Sequence, residues 1–279
     1  MSLPIPRPHR RGDASPPGPA RFNIAVGAGK GGVGKSTVSL NLALALAQAG
    51  HQVGLMDLDF YGPNIPLMVG LKQERWINYW ALAKNRNGGR QEPIRAIERY
   101  GLKIASAGFI LAEDQPMVVE GATVRMMAHQ LLHQTEWGDL DYLIVDLPPG
   151  TADVLHVLLE SASLAGAVLV VTPQDAAHLD ARKAIKAYER SQVRILGAIE
   201  NMSGAICPHC GKPVDFFPRL RDERSIWHQG VHLLGRIPLD ARVSEAGDQG
   251  RPVLVDDPHS ALAEAFRAAA KELIARLAV

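Results

Sequence analysis

Short apolar segments recur along the chain from Phe22 onward, and longer stretches with helical periodicity lie between them. Near-continuous apolar runs of this kind are typical of strands that are buried on both faces. The predicted strands are Phe22–Val26, Gln52–Met56, Leu102–Ala105, Tyr142–Val145, Ala167–Val171, Ile195–Ile199 and Leu233–Ile237. The predicted amphipathic helices are Thr37–Gln48, Ala122–Gln134, Ala176–Arg190 and Ala261–Leu277.

This alternation predicts an α/β fold in which a doubly wound, mostly parallel sheet is covered by helices on each side. The strands continue evenly along the chain, so we expect one domain over residues 21–279. Residues 1–20 carry six prolines and several arginines, and we expect a disordered tail there. Residues 72–99 have the pattern of an excursion from the core, and the sequence assigns them no role.

Composition removes several classes of function. Hydrophobic residues make up 47% of the 279, which is enough for a large core. The 30 Lys and Arg nearly balance the 29 Asp and Glu, so the chain lacks the basic excess of a nucleic-acid-binding protein. No apolar run reaches the ~18–20 residues of a membrane span. Two cysteines do not make a secreted disulfide framework, and we expect a cytoplasmic protein.

A glycine-rich loop follows the first predicted strand and opens the first predicted helix. The segment fits the pattern G-x-x-x-x-G-K-[ST] in the structural context that this motif requires. Its backbone N–H groups are expected to surround the phosphates of ATP, while Lys35 reaches the outer phosphates and Ser36 binds Mg²⁺. The loop consists of Gly29, Lys30, Gly31, Gly32, Val33, Gly34, Lys35, Ser36 and Thr37.

Three further charged residues are candidates for catalysis. Lys30 is a second lysine in the loop, and it has the position to act on a nucleotide held by a facing subunit. Asp146 ends an apolar strand, where a carboxylate can accept hydrogen bonds from water bound to Mg²⁺. Asp57 and Asp59 end another strand, and strand periodicity predicts that both side chains lie on one side. Asp59, which is further out, is the candidate that orients the attacking water.

The two cysteines, Cys207 and Cys210, are separated by Pro208 and His209 and followed by Gly211, which predicts a tight turn with both thiolates facing one metal centre. A [4Fe–4S] cluster requires four such ligands, and one chain supplies two. A homodimer in which the two turns meet on the two-fold axis satisfies that number.

Other uses of the cysteine pair stay open. Zinc fits the same four thiolates between two subunits. Zinc also fits a set within one chain, formed by the two cysteines with His228 and His232. A redox disulfide is a third use, although a redox Cys-x-x-Cys normally opens a helix.

The loop that begins at Gly29, with its additional Lys30, resembles the deviant Walker A loop of the MinD/ParA/ArsA class of P-loop ATPases. Four further segments resemble one branch of that class, the Mrp/ApbC family of iron–sulfur cluster carriers. They are Asp57–Asn64, Asp146–Thr151, Glu200–Ser203 and Cys207–Cys210. The similarity extends from about Phe22 to Val255.

The resemblance implies a homodimer that hydrolyses ATP, binds a [4Fe–4S] cluster between its subunits and delivers it to apo-proteins. It implies that Lys30 acts across the dimer, that Asp59 is the switch aspartate and that Asp146 is the Walker B aspartate. It also implies that Asn201 and the backbone near Pro238 contact adenine. A positioning ATPase that resembles MinD or ParA is the alternative, and near-zero net charge argues against membrane or DNA as its target.

Overall fold

A computed structural model describes most of the chain. The described residues are 18–71, 93–109, 121–150, 152–207, 209–210, 212–217 and 222–278. Most of the predicted tail, residues 72–92 of the predicted excursion, and Thr151, Pro208 and Gly211 therefore lie outside them.

Eight strands in the described residues form one sheet with the order β12-β9-β8-β1-β7-β2-β5-β4. Neighbouring strands are parallel, except that β4 runs antiparallel to β5 at the edge. The sheet strands are β1 Ala20–Gly27, β2 Val53–Asp57, β4 Ile97–Arg99, β5 Leu102–Ser106, β7 Leu140–Asp146, β8 Gly166–Val171, β9 Ile195–Asn201 and β12 Leu233–Ile237. Two short pairs lie apart from this sheet, namely β3 Ile94–Arg95 with β6 Thr135–Glu136, and β10 Ala205–Ile206 with β11 Pro213–Val214.

Helices cover both faces of the sheet, and a separate apolar cluster fills each interface. One face carries α1 Lys35–Gln48, α2 Ile65–Met68, α6 Ala241–Asp248, α7 Val253–Asp256 and α8 Ala261–Leu277. The other face carries α3 Gly121–His133, α4 Ala152–Ser161 and α5 Asp175–Arg190. Burial on both faces explains why the strands are apolar without alternation. The predicted doubly wound, mostly parallel sheet is confirmed.

All seven predicted strands and all four predicted helices are present, with small differences at their ends. The prediction did not name α4, α6 or the antiparallel strand β4. Because Ile97–Arg99 pairs with β5, the last part of the predicted excursion belongs to the sheet. Strand β1 begins at Ala20, the last residue of the predicted tail.

The last helix packs on the core through one apolar stripe. Phe266 and Leu273 of α8 are fully buried, and the stripe continues to Leu277. In the part of the chain that the structure describes, no helix is both long and apolar enough to cross a membrane.

Candidate functional site

The glycine-rich loop joins the end of β1 to the start of α1. Gly32 and Gly34 have φ values of 78° and 81°, in the left-handed region that glycine tolerates best. Gly34 is the N-cap of α1 and has no side chain that could accept the amides of the first helical turn. Those amides and the positive end of the helix dipole can therefore receive a phosphate group.

Lys35 and Asp146 form the centre of the site. The Lys35 Nζ atom lies 2.8 Å from Asp146 Oδ2, and both side chains are buried. The Ser36 hydroxyl donates to the same oxygen at 2.6 Å, and the Ser39 hydroxyl lies 2.6 Å from Asp146 Oδ1. The Ser36 hydroxyl and the Asp146 carboxylate are hard oxygen groups, so this pair fits Mg²⁺.

The register of the sheet brings two acidic strand ends together. Asp57 and Asp146 are paired residues on the adjacent strands β2 and β7. Asp57 is fully buried and accepts hydrogen bonds from the Ser106 hydroxyl at 2.8 Å and from the Asp59 backbone N–H at 3.0 Å. Burial raises the pKa of Asp57 to about 7, and the Asp146 carboxylate acts in the same direction. Because its carboxylate accepts the Asp59 backbone N–H, Asp57 supports the loop that carries Asp59.

Asp59 faces Lys35, but not for the reason that the sequence suggested. Strand β2 ends at Asp57, so strand alternation does not extend to Asp59. Instead, Asp59 Oδ1 accepts the backbone N–H groups of Tyr61 and Gly62 at 3.3 and 3.2 Å, which closes a tight turn. That turn leaves Asp59 Oδ2 3.7 Å from Lys35 Nζ.

Lys30 lies at the first turn of the loop and contacts a different element. Its Nζ atom donates to Gln174 Oε1 at 3.1 Å, and Gln174 is the N-cap residue of α5. The side chain is half-buried and is not among the groups around Asp146. The structure therefore separates the two lysines of the loop.

Asn201 ends strand β9 and Pro238 directly follows the neighbouring strand β12, at the same sheet edge as the loop. Asn201 is buried, and its amide donates to the Val33 carbonyl at 2.9 Å. A Cβ atom on Gly34 would lie 2.2 Å from the Asn201 amide nitrogen. The structure thus places Asn201 against the loop itself, while Pro238 lies beside α6 and is half-buried.

Strands β10 and β11 and the turn between them form a hairpin, residues 205–214, which we call the Cys hairpin. Cys207 and Cys210 lie in its turn. The Cys207 N–H donates to the Lys212 carbonyl at 2.9 Å and closes the turn. Both cysteines are free, and Cys210 is exposed. Hydrogen bonds from the backbone N–H groups of Cys210 and His209 lower the pKa of Cys207, and the Cys210 side chain adds to this effect. A lowered pKa favours the thiolate, which is the form that binds metal.

The alternative prediction of a zinc site within one chain, formed by the two cysteines with His228 and His232, is wrong. His232 lies at the start of β12, where its Nε2 atom is 2.7 Å from Glu272 Oε1 of α8. Among the described residues, no group of three or more His, Cys, Asp and Glu side chains could hold a metal ion. The two cysteines are therefore without further ligands from the described part of their own chain.

Sequence reasoning missed three residues of the site. Ser39 follows Lys35 by one helical turn, so helix periodicity could have placed it beside Asp146. Ser106 ends strand β5 and pairs with Asp57. Gln174 gave no comparable signal, because its contact with Lys30 joins residues far apart in the chain.

Known proteins of the same kind match most of the chain. A carrier protein for iron–sulfur clusters from Synechocystis is 41% identical over 257 residues, which cover 92% of this chain and 71% of the relative. The corresponding carrier from Pyrococcus abyssi is 38% identical over 264 residues and covers 92% and 87% of the two chains. The iron–sulfur cluster transfer protein NUBPL of Dictyostelium discoideum is 38% identical over 256 residues and covers 92% and 76%.

Solved structures share the fold. A nucleotide-binding protein from Archaeoglobus fulgidus in complex with ADP superposes with a TM-score of 0.69 at 32% identity, covering 88% of this chain and 92% of that one. The septum site-determining protein MinD from Pyrococcus horikoshii, complexed with Mg-ADP, has a TM-score of 0.64 at 24% identity and covers 90% and 95%. The predicted MinD/ParA type of fold is confirmed. The family model described as ParA, NUBPL iron-transfer P-loop NTPase, matches residues 20–274, and the chain belongs to that family of P-loop ATPases.

Proposed function

We propose that the protein is an ATP-hydrolysing homodimer that carries a [4Fe–4S] cluster between its subunits and transfers it to apo-proteins. The observation that carries the proposal is the pair of free cysteines in an exposed turn that follows β9, at the sheet edge that also holds the glycine-rich loop. Two thiolates per chain provide half of the ligands of the cluster, so a second subunit must provide the rest.

The described residues support specific roles in ATP hydrolysis. The amides of residues 29–37 hold the phosphates, and Lys35 neutralises charge on the outer ones. Mg²⁺, which would be held by Ser36 and by water bonded to Asp146, supplies further positive charge. Asp59 orients the water that attacks the γ-phosphorus as the bond to ADP breaks. Lys30 acts on the nucleotide of the facing subunit once it has left Gln174.

The proposal extends to the remaining parts of the chain. Asn201 and the backbone near Pro238 contact the adenine base, since they lie at and directly after the ends of two strands at the sheet edge that holds the loop. The ATPase domain with the Cys hairpin begins at Ala20, where β1 starts, and extends to residue 279; the residues before it form a tail. The clients are apo forms of iron–sulfur proteins, and we place the protein in the cytoplasm, where thiols stay reduced.

Anaerobic reconstitution with iron and sulfide tests the proposal. The expected product is a brown dimer with about four iron atoms per two chains, as the ligand requirement of the cluster dictates. Cys207→Ser and Cys210→Ser should lose the iron and the visible absorbance but retain ATP hydrolysis, because neither cysteine lies among the groups around Lys35. A colourless protein with stoichiometric zinc, or a monomer that retains the full cluster, would contradict the proposal.

A further inference from the structure

The Cys hairpin lies outside the main sheet. Its two strands pair with each other and are not part of the main sheet. A cavity of about 490 Å³ lies beside the base of the hairpin, where it is lined by residues that flank the two strands. Its lining includes Asp215 and Phe217 beyond the hairpin, Glu200 and Ser203 before it, and His178 and Trp227 opposite. The segment that connects the hairpin to β9, residues 200–204, fixes one end of the hairpin, and we call it the root segment.

Glu200 is the charged residue that fastens the root segment. It ends the run of β9 next to Asn201 and is 8% exposed. Its Oε1 atom accepts the Ser203 hydroxyl at 2.5 Å and Arg236 Nε at 3.0 Å. Arg236 is the residue of β12 that pairs with Glu200 in the sheet register. One buried carboxylate thus ties the root segment to the edge strand, and such charge-assisted bonds are among the stronger ones in proteins.

Backbone contacts complete the root segment. The Ser203 N–H donates to the Ile237 carbonyl at 2.9 Å, and the Leu239 N–H donates to the Gly204 carbonyl at 2.7 Å. Met202 has a φ of 57°, a left-handed conformation that is uncommon for a residue with a side chain. The tight turn at Met202 directs the chain from the sheet into the hairpin.

The same strand end also contacts the glycine-rich loop. Asn201 donates to the Val33 carbonyl, and the Met202 Cε atom lies 3.9 Å from the position of a Cβ atom on Gly34. Side chains alternate between the faces of a strand, so Glu200 and Asn201 lie on opposite sides of β9. Adjacent residues therefore hold the nucleotide loop on one side and the root of the Cys hairpin on the other.

We propose that Glu200 is a positioning residue that couples the nucleotide site to the cysteine turn. A shift of the loop around ATP moves Asn201, and the carboxylate of Glu200 transmits the movement through Ser203 and Arg236 to the hairpin. Without that carboxylate, the root segment keeps its backbone hydrogen bonds with Ile237 and Leu239 but loses its side-chain link to β12, so the position of the hairpin no longer follows the nucleotide. This inference rests on the proposed carrier function, because it describes how ATP alters the hold on the cluster.

The experiment measures cluster release from the reconstituted dimer. A ferrous chelator removes iron from the cluster, and the decay of the visible absorbance gives the rate of cluster release. This rate is measured with and without a non-hydrolysable ATP analogue, and the ratio of the two release rates reports the coupling. Glu200→Ala is the main variant, Ser203→Ala removes one hydrogen bond, and Glu200→Gln keeps an acceptor oxygen. Glu272→Ala is the matched control, since it also removes a side-chain contact of a carboxylate, that with His232, which directly precedes the opposite end of β12.

In wild type we expect the ratio to differ from one by roughly fivefold or more, the usual lower range for coupled sites. Glu200→Ala should bind the full cluster and hydrolyse ATP at the basal rate, but its ratio should fall close to one. Ser203→Ala should lie between the two, and Glu200→Gln should retain most of the wild-type ratio. Glu272→Ala should match wild type, since the contact of Glu272 with His232 does not involve the root segment.

Two results would overturn the inference alone. One is a wild-type protein that binds its cluster but releases it at the same rate with and without the analogue. The other is a wild-type ratio that persists in Glu200→Ala and Ser203→Ala, or that falls equally in Glu272→Ala. If Glu200→Ala does not fold, Ser203→Ala decides the question. Failure of wild type to bind any cluster would instead refute the carrier function, and the inference with it.

Discussion

Substitution of Gly29 by alanine tests how closely the glycine-rich loop is packed on α5. A Cβ atom on Gly29 would lie 2.2 Å from the Asp180 carbonyl carbon and 2.5 Å from the Ala181 nitrogen. Non-bonded carbons rest at about 3.5–4.0 Å, so the loop and the helix must separate by more than about 1 Å. Both contact atoms belong to backbone, which cannot rotate away. We therefore expect Gly29→Ala to destabilise the fold by about 3 kcal/mol, the upper end for overpacked cores.

The displacement should also affect function, because Gly29 is the first residue of the loop whose amides hold the phosphates. A shift of about 1 Å at a reacting site can slow turnover by about 100-fold. Urea unfolding and steady-state ATP hydrolysis measure the two effects.

Gly31→Ala is the matched control for stability. The nearest atom to its Cβ position is a Pro149 ring carbon at 4.0 Å, so alanine meets open space. We expect its unfolding free energy to stay within about 0.5 kcal/mol of wild type, as for most surface substitutions. Equal unfolding midpoints for Gly29→Ala and Gly31→Ala would refute the packing argument.

Three further substitutions address the charges of the site and the pH dependence of stability. Lys35→Ala should slow ATP hydrolysis by at least about 100-fold, because the outer phosphates lose their cation; wild-type turnover would remove the site assignment. Asp59→Asn should bind ATP normally but hydrolyse it about 100-fold more slowly, and an unchanged rate in a phosphate-release assay would exclude the proposed role. Burial lowers the pKa of His178, and its Nδ1 atom accepts the Ile226 N–H. Below about pH 6.5 the unfolded chain therefore binds a proton that the folded chain does not, and the free energy of unfolding decreases as the pH is lowered through that range. His178→Gln should weaken this dependence in urea unfolding between pH 7.5 and 5.5, and parallel curves for the two proteins would contradict the prediction.

Local patterns of apolar and polar residues were sufficient to predict most of the fold. The central strands β2, β7 and β8 are covered on both faces and buried along nearly their whole length, so consecutive residues such as Tyr142–Val145 are apolar and easily recognised. Strand β4 escaped prediction because an exposed edge strand of three residues has no such pattern. The two-residue strands of the Cys hairpin escaped it for the same reason.

The sequence by itself determined the groups that are contiguous in the chain. The glycine-rich loop and the Cys-x-x-Cys turn are short, and their chemistry depends on residue order alone. Only the tertiary structure decided what converges on them. The pairing of β2 with β7 brings Asp57 beside Asp146. The packing of α8 on β12 places His232 in contact with Glu272, away from the two cysteines. Contacts between residues so far apart in the chain depend on strand register and helix packing, which no local pattern encodes.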